Sequence, residues 1–269
     1  METPDVIGII AGSGVYPLLL ADAARAAGVK RVVAAAFDGE TEPSLSQHLD
    51  AIEWMRVGQL GRLLNYFKSR GIRQAIMAGQ IAPGNLFDLR PDMRALVLLA
   101  KLKRRNAESI FSAIADELLA IGVTLLPATT FLEKDLADEG LIAGKKLSRR
   151  QRDDVRYGFD VAKEIARLDI GQTVVVKNGT VLAVEAFDGS NETIRRGGAL
   201  AGSDAVVVKV SKPRQDIRFD VPVIGIETVG VAAEARVRVI AAEAKRTLLL
   251  DRAAVIEAAN RANISLLGV

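Results

Sequence analysis

The chain has 269 residues, 49% of them hydrophobic, so it can build one large domain or two ordinary ones and is not a disordered polymer. With no cysteine and one histidine, disulfides and thiolate metal sites are excluded, a His-based metal cluster or Ser-His-Asp triad is disfavoured, and a reducing cytoplasm is the expected compartment. A balance of 36 Lys and Arg against 33 Asp and Glu leaves +3, too mild for a nucleic-acid binder, and no basic–aromatic interleaving supports one.

In chain order, "VIGIIA" (6–11) reads as a buried strand, followed by a helix through "PLLLADAARAAG" that closes on Gly28. Strands "RVVAAAF" (31–37) and "AIEWMRV" (51–57), a helix "QLGRLLNYFKSRG" (59–71) and a strand "QAIMAG" (74–79) come next. His48, in the polar stretch "PSLSQHLD", reads as a surface residue. Two helices, "PDMRALVLLAKLKRR" and "AESIFSAIADELLAIG", precede a strand "VTLLPA" (123–128). Apolar strands alternating with helices imply a parallel sheet covered on both faces. Residues 132–154 are charged and weakly periodic and read as a linker into the helix "DVRYGFDVAKEIARLD". "QTVVVKNG" and "TVLAVEAF" read as a hairpin on the Asn178-Gly179 turn. A helix near 191–197, a strand "AVVVKVS" (205–211), a strand pair "VRVIAAEA" and "TLLLD", the helix "RAAVIEAANRAN" and a last strand "ISLLGV" complete the chain. The expected architecture is α/β: a Rossmann-like parallel-sheet domain over 1–131, the linker 132–154, and a mixed α/β domain over 155–269. The longest apolar runs, such as "ALVLLA" (95–100), are far too short to span a bilayer, and Met1–Asp5 has no basic leader region.

Several segments carry chemistry. Gly12-Ser13-Gly14 falls between the first strand and first helix, where backbone N–H groups can hold a phosphate. Pro17 stands where a dinucleotide fingerprint has its third glycine, so the pair reads equally as a tight turn, and a nicotinamide oxidoreductase is the weakest of the functional readings. Gly79 and Gln80 end the fourth strand at the carboxyl edge of the sheet, the ligand-binding edge of open α/β folds; the alternative is a loop shaped by Pro83 and Gly84. In "KVSKPRQDIRFDVPVIGIE", Lys209, Lys212, Arg214, Asp216, Arg218, Asp220 and Glu227 lie along a mostly extended segment; Asp216, Arg218 and Asp220 can project from one strand face, and Pro213 and Pro222 bracket these three. Bases that neutralise phosphate, interleaved with acids that hold Mg²⁺ and orient water, suit phosphoanhydride chemistry; a solvent-edge ladder of ion pairs is the competing reading. Glu185, between Val184 and Ala186, either faces water or is paired, with Arg195 and Arg196 as available partners. The basic clusters "KLKRR" (101–105) and "KKLSRRQR" (145–152) are solvated faces or attract anionic ligands or lipid head groups.

The long motifs "RLDIGQTVVVKNGTVLAVEAFDGSNETIRR" and "KVSKPRQDIRFDVPVIGIETV", with "IGIIAGSGVYP", "AGQ" and "LLLDRAAVIEAA" in the same order, resemble the bacterial UDP-2,3-diacylglucosamine pyrophosphatases of lipid A synthesis, of the LpxI type. The resemblance covers nearly the whole chain. It implies a Rossmann-like first domain, a second α/β domain peculiar to the family, and an active site between them. It also implies metal-dependent hydrolysis to UMP and 2,3-diacylglucosamine 1-phosphate, with Mg²⁺ or Mn²⁺ as the metal. On that basis Gly12, Ser13, Gly14, Gly79 and Gln80 line the site from the first domain, and Gln172, Thr173, Glu185, Lys209, Lys212, Asp216 and Arg218 from the second. Glu227 stands where the family has a catalytically important aspartate, and it and Asp216 are the expected metal or water-activating acids. An acidic pair of the family reads Ala107-Glu108 here, with one member absent. These departures keep a second reading open, a non-catalytic protein that binds a phosphoglycolipid or nucleotide-sugar. The expected setting is cytoplasmic, transiently at the inner membrane surface. A homodimer is allowed for, although no residue sets the oligomeric state.

Overall fold

Five of the six residues of β1 (Val6–Ala11) are buried, as the middle strand of a covered sheet requires. The computed structural model describes residues 3–81, 91–103, 106–213 and 215–269. Within these, β2 (Arg31–Phe37), β3 (Ala51–Met55), β4 (Gln74–Ala78) and β5 (Thr124–Leu125) join β1 in a parallel sheet of order β3-β2-β1-β4-β5. Helices α1 (Tyr16–Ala26), α2 (Leu60–Ser69), α3 (Met93–Lys101) and α4 (Ala107–Ala120) lie between the strands. In α2 the buried Leu60, Leu63, Leu64 and Phe67 recur at helical spacing, so one stripe faces the sheet. Asp92 and Asn106 start α3 and α4 by accepting hydrogen bonds from the backbone N–H groups of Ala95 and Ser109. Ile10, Val33 and Met77 of the sheet meet Leu63, Phe67, Leu98 and Leu118 of the helices in one aliphatic core. The Rossmann-like reading of the first half therefore holds.

The chain divides into two compact units, one running to Leu132 and also including Asp216–Asp220, the other comprising Glu133–Gln215 and Val221–Val269. The second unit contains β6 (Gly140–Ala143), α5 (Arg149–Arg167), β7 (Thr173–Lys177), β8 (Thr180–Val184), α6 (Gly189–Ala201), β9 (Ala205–Lys209) and β10 (Val223–Ile224). It continues with α7 (Ile226–Glu234), β11 (Val237–Ala242), β12 (Leu248–Leu249), α8 (Arg252–Arg261) and β13 (Ser265–Gly268). Its main sheet has the order β6-β13-β11-β9-β7-β8; β9, β11 and β13 run parallel, and β6 and the hairpin β7–β8 enter antiparallel. The Asn178-Gly179 turn forms as expected, with positive φ at both residues. Asp154 secures it by accepting from the N–H groups of Asn178 (2.9 Å) and Gly179 (2.7 Å).

Two expectations differ. The stretch 132–154 is more than a linker: it holds a 3₁₀ turn (Glu133–Asp135), the edge strand β6 and the first turns of α5, which opens with a capping box of Ser148 and Gln151. The strands "VRVIAAEA" and "TLLLD" do not pair; β12 pairs with β10 in a separate two-stranded parallel sheet.

Candidate active site

In the first unit, the turns after β1 and β4 are stitched together. Gly12 N–H donates to the Ala78 carbonyl (2.8 Å), Ser13 N–H to the Gln80 carbonyl (2.7 Å), and the Ser13 hydroxyl to that same oxygen (2.9 Å). A Cβ at Gly12 would lie 2.4 Å from the Gln80 oxygen. At Gly79, with φ +92°, a Cβ would lie 2.6 Å from the Ser13 oxygen. Close backbone approach thus accounts for both glycines, and it places Ser13, Gly14 and the exposed Gln80 side chain together beyond the carboxyl edge of the sheet. Pro83 and Gly84 lie outside the described residues.

Asp216 and Arg218 belong to this unit, not to the second as the sequence order suggests. Their segment is a turn rather than an extended strand, since Phe219 N–H and Asp220 N–H both donate to the Asp216 carbonyl (3.2 and 2.9 Å). Asp216, Arg218 and Asp220 therefore do not share a strand face. Arg218 instead folds back on Asp216, with Nε 2.9 Å from Oδ1 and Nη2 2.6 Å from Oδ2. That guanidinium holds the Asp216 carboxyl below the usual range, and the carboxylate in turn raises the arginine. Arg214, expected in the same series, lies outside the described residues.

In the second unit the structure brings Gln172, Thr173, Glu185, Lys209 and Lys212 to one end of β7, β8 and β9. Thr173 faces Lys209 across the antiparallel pair. Glu185 is only 8% exposed. Its Oε1 accepts from the Ser190 hydroxyl (2.9 Å) and its Oε2 from Gln172 N–H (3.1 Å). The buried Thr173 hydroxyl is 2.9 Å from that of Ser190. Arg195 and Arg196 are not the partners expected for Glu185: Arg195 pairs with Glu192, and Arg196 with Asp188 (2.7 Å). A buried carboxylate needs donors, and here the head of α6 and a strand backbone supply them. Lys209 donates to the Val223 carbonyl (3.0 Å), and Lys212 to Asp169 (2.5 Å).

Glu227 is exposed in the first turn of α7, and its Oε1 accepts from Asn191 Nδ2 of α6 (2.8 Å). Asn191 follows Ser190, so Glu227 is tied through one helix end to the Glu185 network. Sequence reasoning missed Ser190 and Asn191. It also missed a half-buried acid, Glu243, which accepts from Ser211 N–H (2.7 Å), the Ser211 hydroxyl (2.8 Å) and Lys163 (3.0 Å). The signal was present in "AAEA", which repeats the acid-in-apolar-strand pattern of "AVEA" at Glu185. His48 pairs with Asp22 (2.7 Å), consistent with a surface role.

Among the described residues no three Asp, Glu or His side chains form a ready cation site. Asp216 and Glu227 fall in different units, and both Asp216 oxygens are engaged by Arg218. Glu227 alone suits a hard cation, because Mg²⁺ commonly takes one or two protein carboxylates and completes its shell with substrate phosphate oxygens and water.

Two family descriptions match the chain, the LpxI N-terminal domain over residues 6–135 and the LpxI C-terminal domain over residues 138–267. The chain belongs to the LpxI family. A curated member, UDP-2,3-diacylglucosamine pyrophosphatase LpxI of Caulobacter vibrioides, is 32% identical over 274 residues, covering 98% of this chain and 97% of its own. The resemblance carried by the motifs is thus borne out. The junction of the two LpxI domains, between 135 and 138, falls close to the unit boundary after Leu132. Among solved structures, the biotin carboxylase domain of Hydrogenobacter thermophilus 2-oxoglutarate carboxylase aligns with TM-score 0.30 and 12% identity. That alignment spans 67% of this chain and 36% of the other, and it carries no functional weight.

Proposed function

We propose that the protein hydrolyses UDP-2,3-diacylglucosamine to UMP and 2,3-diacylglucosamine 1-phosphate, a step of lipid A synthesis. The observation that carries this reading is the end-to-end match, through both LpxI domains, to a relative named for that substrate. The residues support it chemically. Water adds to one phosphorus of the diphosphate, the bridging P–O bond breaks, and the electron pair leaves on the departing phosphate oxygen. Glu227, held by Asn191, accepts a proton of the attacking water or holds the cation. A divalent ion bound with the diphosphate, Mg²⁺ or Mn²⁺, would supply charge neutralisation at the phosphate oxygens. Lys209, Lys212 and Arg218, the last oriented by Asp216, would add positive charge, and Ser13 and Gln80 would position the substrate's polar groups. Glu185 acts indirectly by fixing Gln172 and Ser190. The reaction would run in the cytoplasm at the inner membrane surface, where "KLKRR" and "KKLSRRQR" favour anionic lipid; Arg104 and Arg105 of the first cluster lie outside the described residues. No helix among the described residues is long and apolar enough to cross a membrane.

Glutamate in place of the family aspartate supports a second reading, a protein that binds the lipid without turning it over. One experiment separates them: UMP release measured across a Mg²⁺ and Mn²⁺ series for the wild type and Glu227→Ala. Turnover that falls by about 10²-fold or more in the variant supports the assignment. Stoichiometric binding of substrate with no UMP at any metal concentration would leave only the binding protein.

A further inference from the structure

Beneath α3 and α4 the first unit holds a partly open cavity of about 90 Å³ that the reaction described above leaves unused. Ile10 and Met77, near the carboxyl ends of β1 and β4, form its floor, with Ile81, Leu98, Phe111 and Ile114 around them. Among the described residues no charged side chain lines it. An apolar cavity of this kind stays dry and accepts hydrocarbon; a nucleobase or sugar there would leave its polar atoms unpaired.

Its surroundings indicate what enters. Ile81 directly follows Gln80, so the apolar wall continues the polar turn that joins Ser13 to Gln80. On another side Phe111 packs against Phe219, with ring centroids 5.7 Å apart. Phe219 belongs to the turn that carries Asp216 and Arg218, and the Arg218 guanidinium stands 5.9 Å over its ring. Polar and cationic groups therefore border a hydrocarbon-lined space. Helix α3 is apolar on both sides: Ala95 and Leu98 face inward, while Met93, Leu96 and Val97 are 75%, 47% and 49% exposed. Arg94 and Lys101 are also exposed on this helix, but most of its outward-facing side chains are apolar.

We infer that this cavity takes the distal methylenes of one acyl chain of the phosphoglycolipid, with the polar head at the adjoining turns, and so selects chain length. The inference rests on the proposed substrate. The opposing account is a mere packing defect.

Ala95 lines the cavity, and Ala95→Leu adds three carbons to it on a residue that keeps the helix. The test compares kcat/KM for UDP-2,3-diacylglucosamine analogues of graded acyl length. In the wild type each methylene that reaches the cavity should raise kcat/KM about fourfold. In Ala95→Leu the rise should stop about three methylenes earlier, lowering the long-to-short ratio within the variant roughly 50-fold. Should that variant fold poorly, Ile114→Ala enlarges the same space and should extend the rise to longer chains. Chain-length profiles that stay unchanged in the folded variants would overturn the inference and leave the packing defect. If no analogue is hydrolysed, the reaction has failed separately. The cavity is then read from calorimetric binding of 2,3-diacylglucosamine 1-phosphates of graded chain length, where the same loss of length dependence in Ala95→Leu supports the site and its absence refutes it.

Discussion

Removing the Glu243 carboxylate should destabilise the second unit more than any exposed ion pair would. Its side chain is 13% exposed and bonds Ser211 twice, at 2.7 Å and 2.8 Å, and Lys163 at 3.0 Å. In Glu243→Ala the buried Ser211 N–H loses its acceptor, a loss of about 1–3 kcal/mol. The hydroxyl loses a charge-assisted bond contributing about 1.5–3 kcal/mol, part of which it recovers by rotating to another acceptor. Lys163 keeps the Ser211 carbonyl (3.0 Å) and reaches water, so breaking its pair adds only about 0–1 kcal/mol. The expected total is about 3–5 kcal/mol, and Glu243→Gln, which keeps one acceptor oxygen, should lose about half of that. Burial raises the affinity of this carboxyl for a proton, but the Ser211 N–H, Lys163 and the Ser211 hydroxyl together outweigh it, so the folded carboxyl sits below its ordinary value of 4.5. A depressed folded pKa means the contribution is complete above the ordinary carboxylate range and is lost as pH falls through the folded value. Urea unfolding followed by far-UV circular dichroism, with hydrogen exchange at β9 and β11, reads both effects. The gap between wild type and Glu243→Gln should be full at neutral pH and close in acid. A Glu243→Ala protein within about 1 kcal/mol of wild type, or a gap that ignores pH, would refute the reasoning.

Three further outcomes are expected. Gly12→Ala drives a Cβ to 2.4 Å from a backbone oxygen, so it should lower stability by about 1–3 kcal/mol and raise KM by disturbing Ser13 and Gln80, as thermal melts and kinetics would show. Asp154→Ala leaves the N–H groups of Asn178 and Gly179 without their acceptor and should cost about 2–3 kcal/mol in thermal unfolding, with Asp154→Asn intermediate. Asn191→Ala should lower kcat about tenfold with little change in KM. Added to Glu227→Ala it should do no further harm, because the two side chains act through one hydrogen bond.

Local signals were legible wherever the physics was local. The Asn178-Gly179 hairpin, the apolar strands of the first sheet and the stripe of α2 follow from conformational preference and periodicity within a few residues. The capping box at Ser148 and Gln151 was equally readable, and overlooking it made part of α5 and β6 look like a linker. The acid in "AVEA" marked a carboxylate that needs partners, but the partners could not be named: Arg195 and Arg196 were nearer in sequence than Gln172, yet α6 turns them toward Glu192 and Asp188.

By itself, then, the sequence determined the two α/β units, the order of their elements and the family, because apolar period and turn chemistry are properties of short segments and the motifs run the length of the chain. Tertiary structure alone decided that Asp216–Asp220 joins the first unit, that β12 pairs with β10, and that Arg218 serves Asp216 while Asn191 serves Glu227. Those choices depend on which distant backbones and side chains meet, and no local periodicity encodes a contact between segments that only the folded chain brings together.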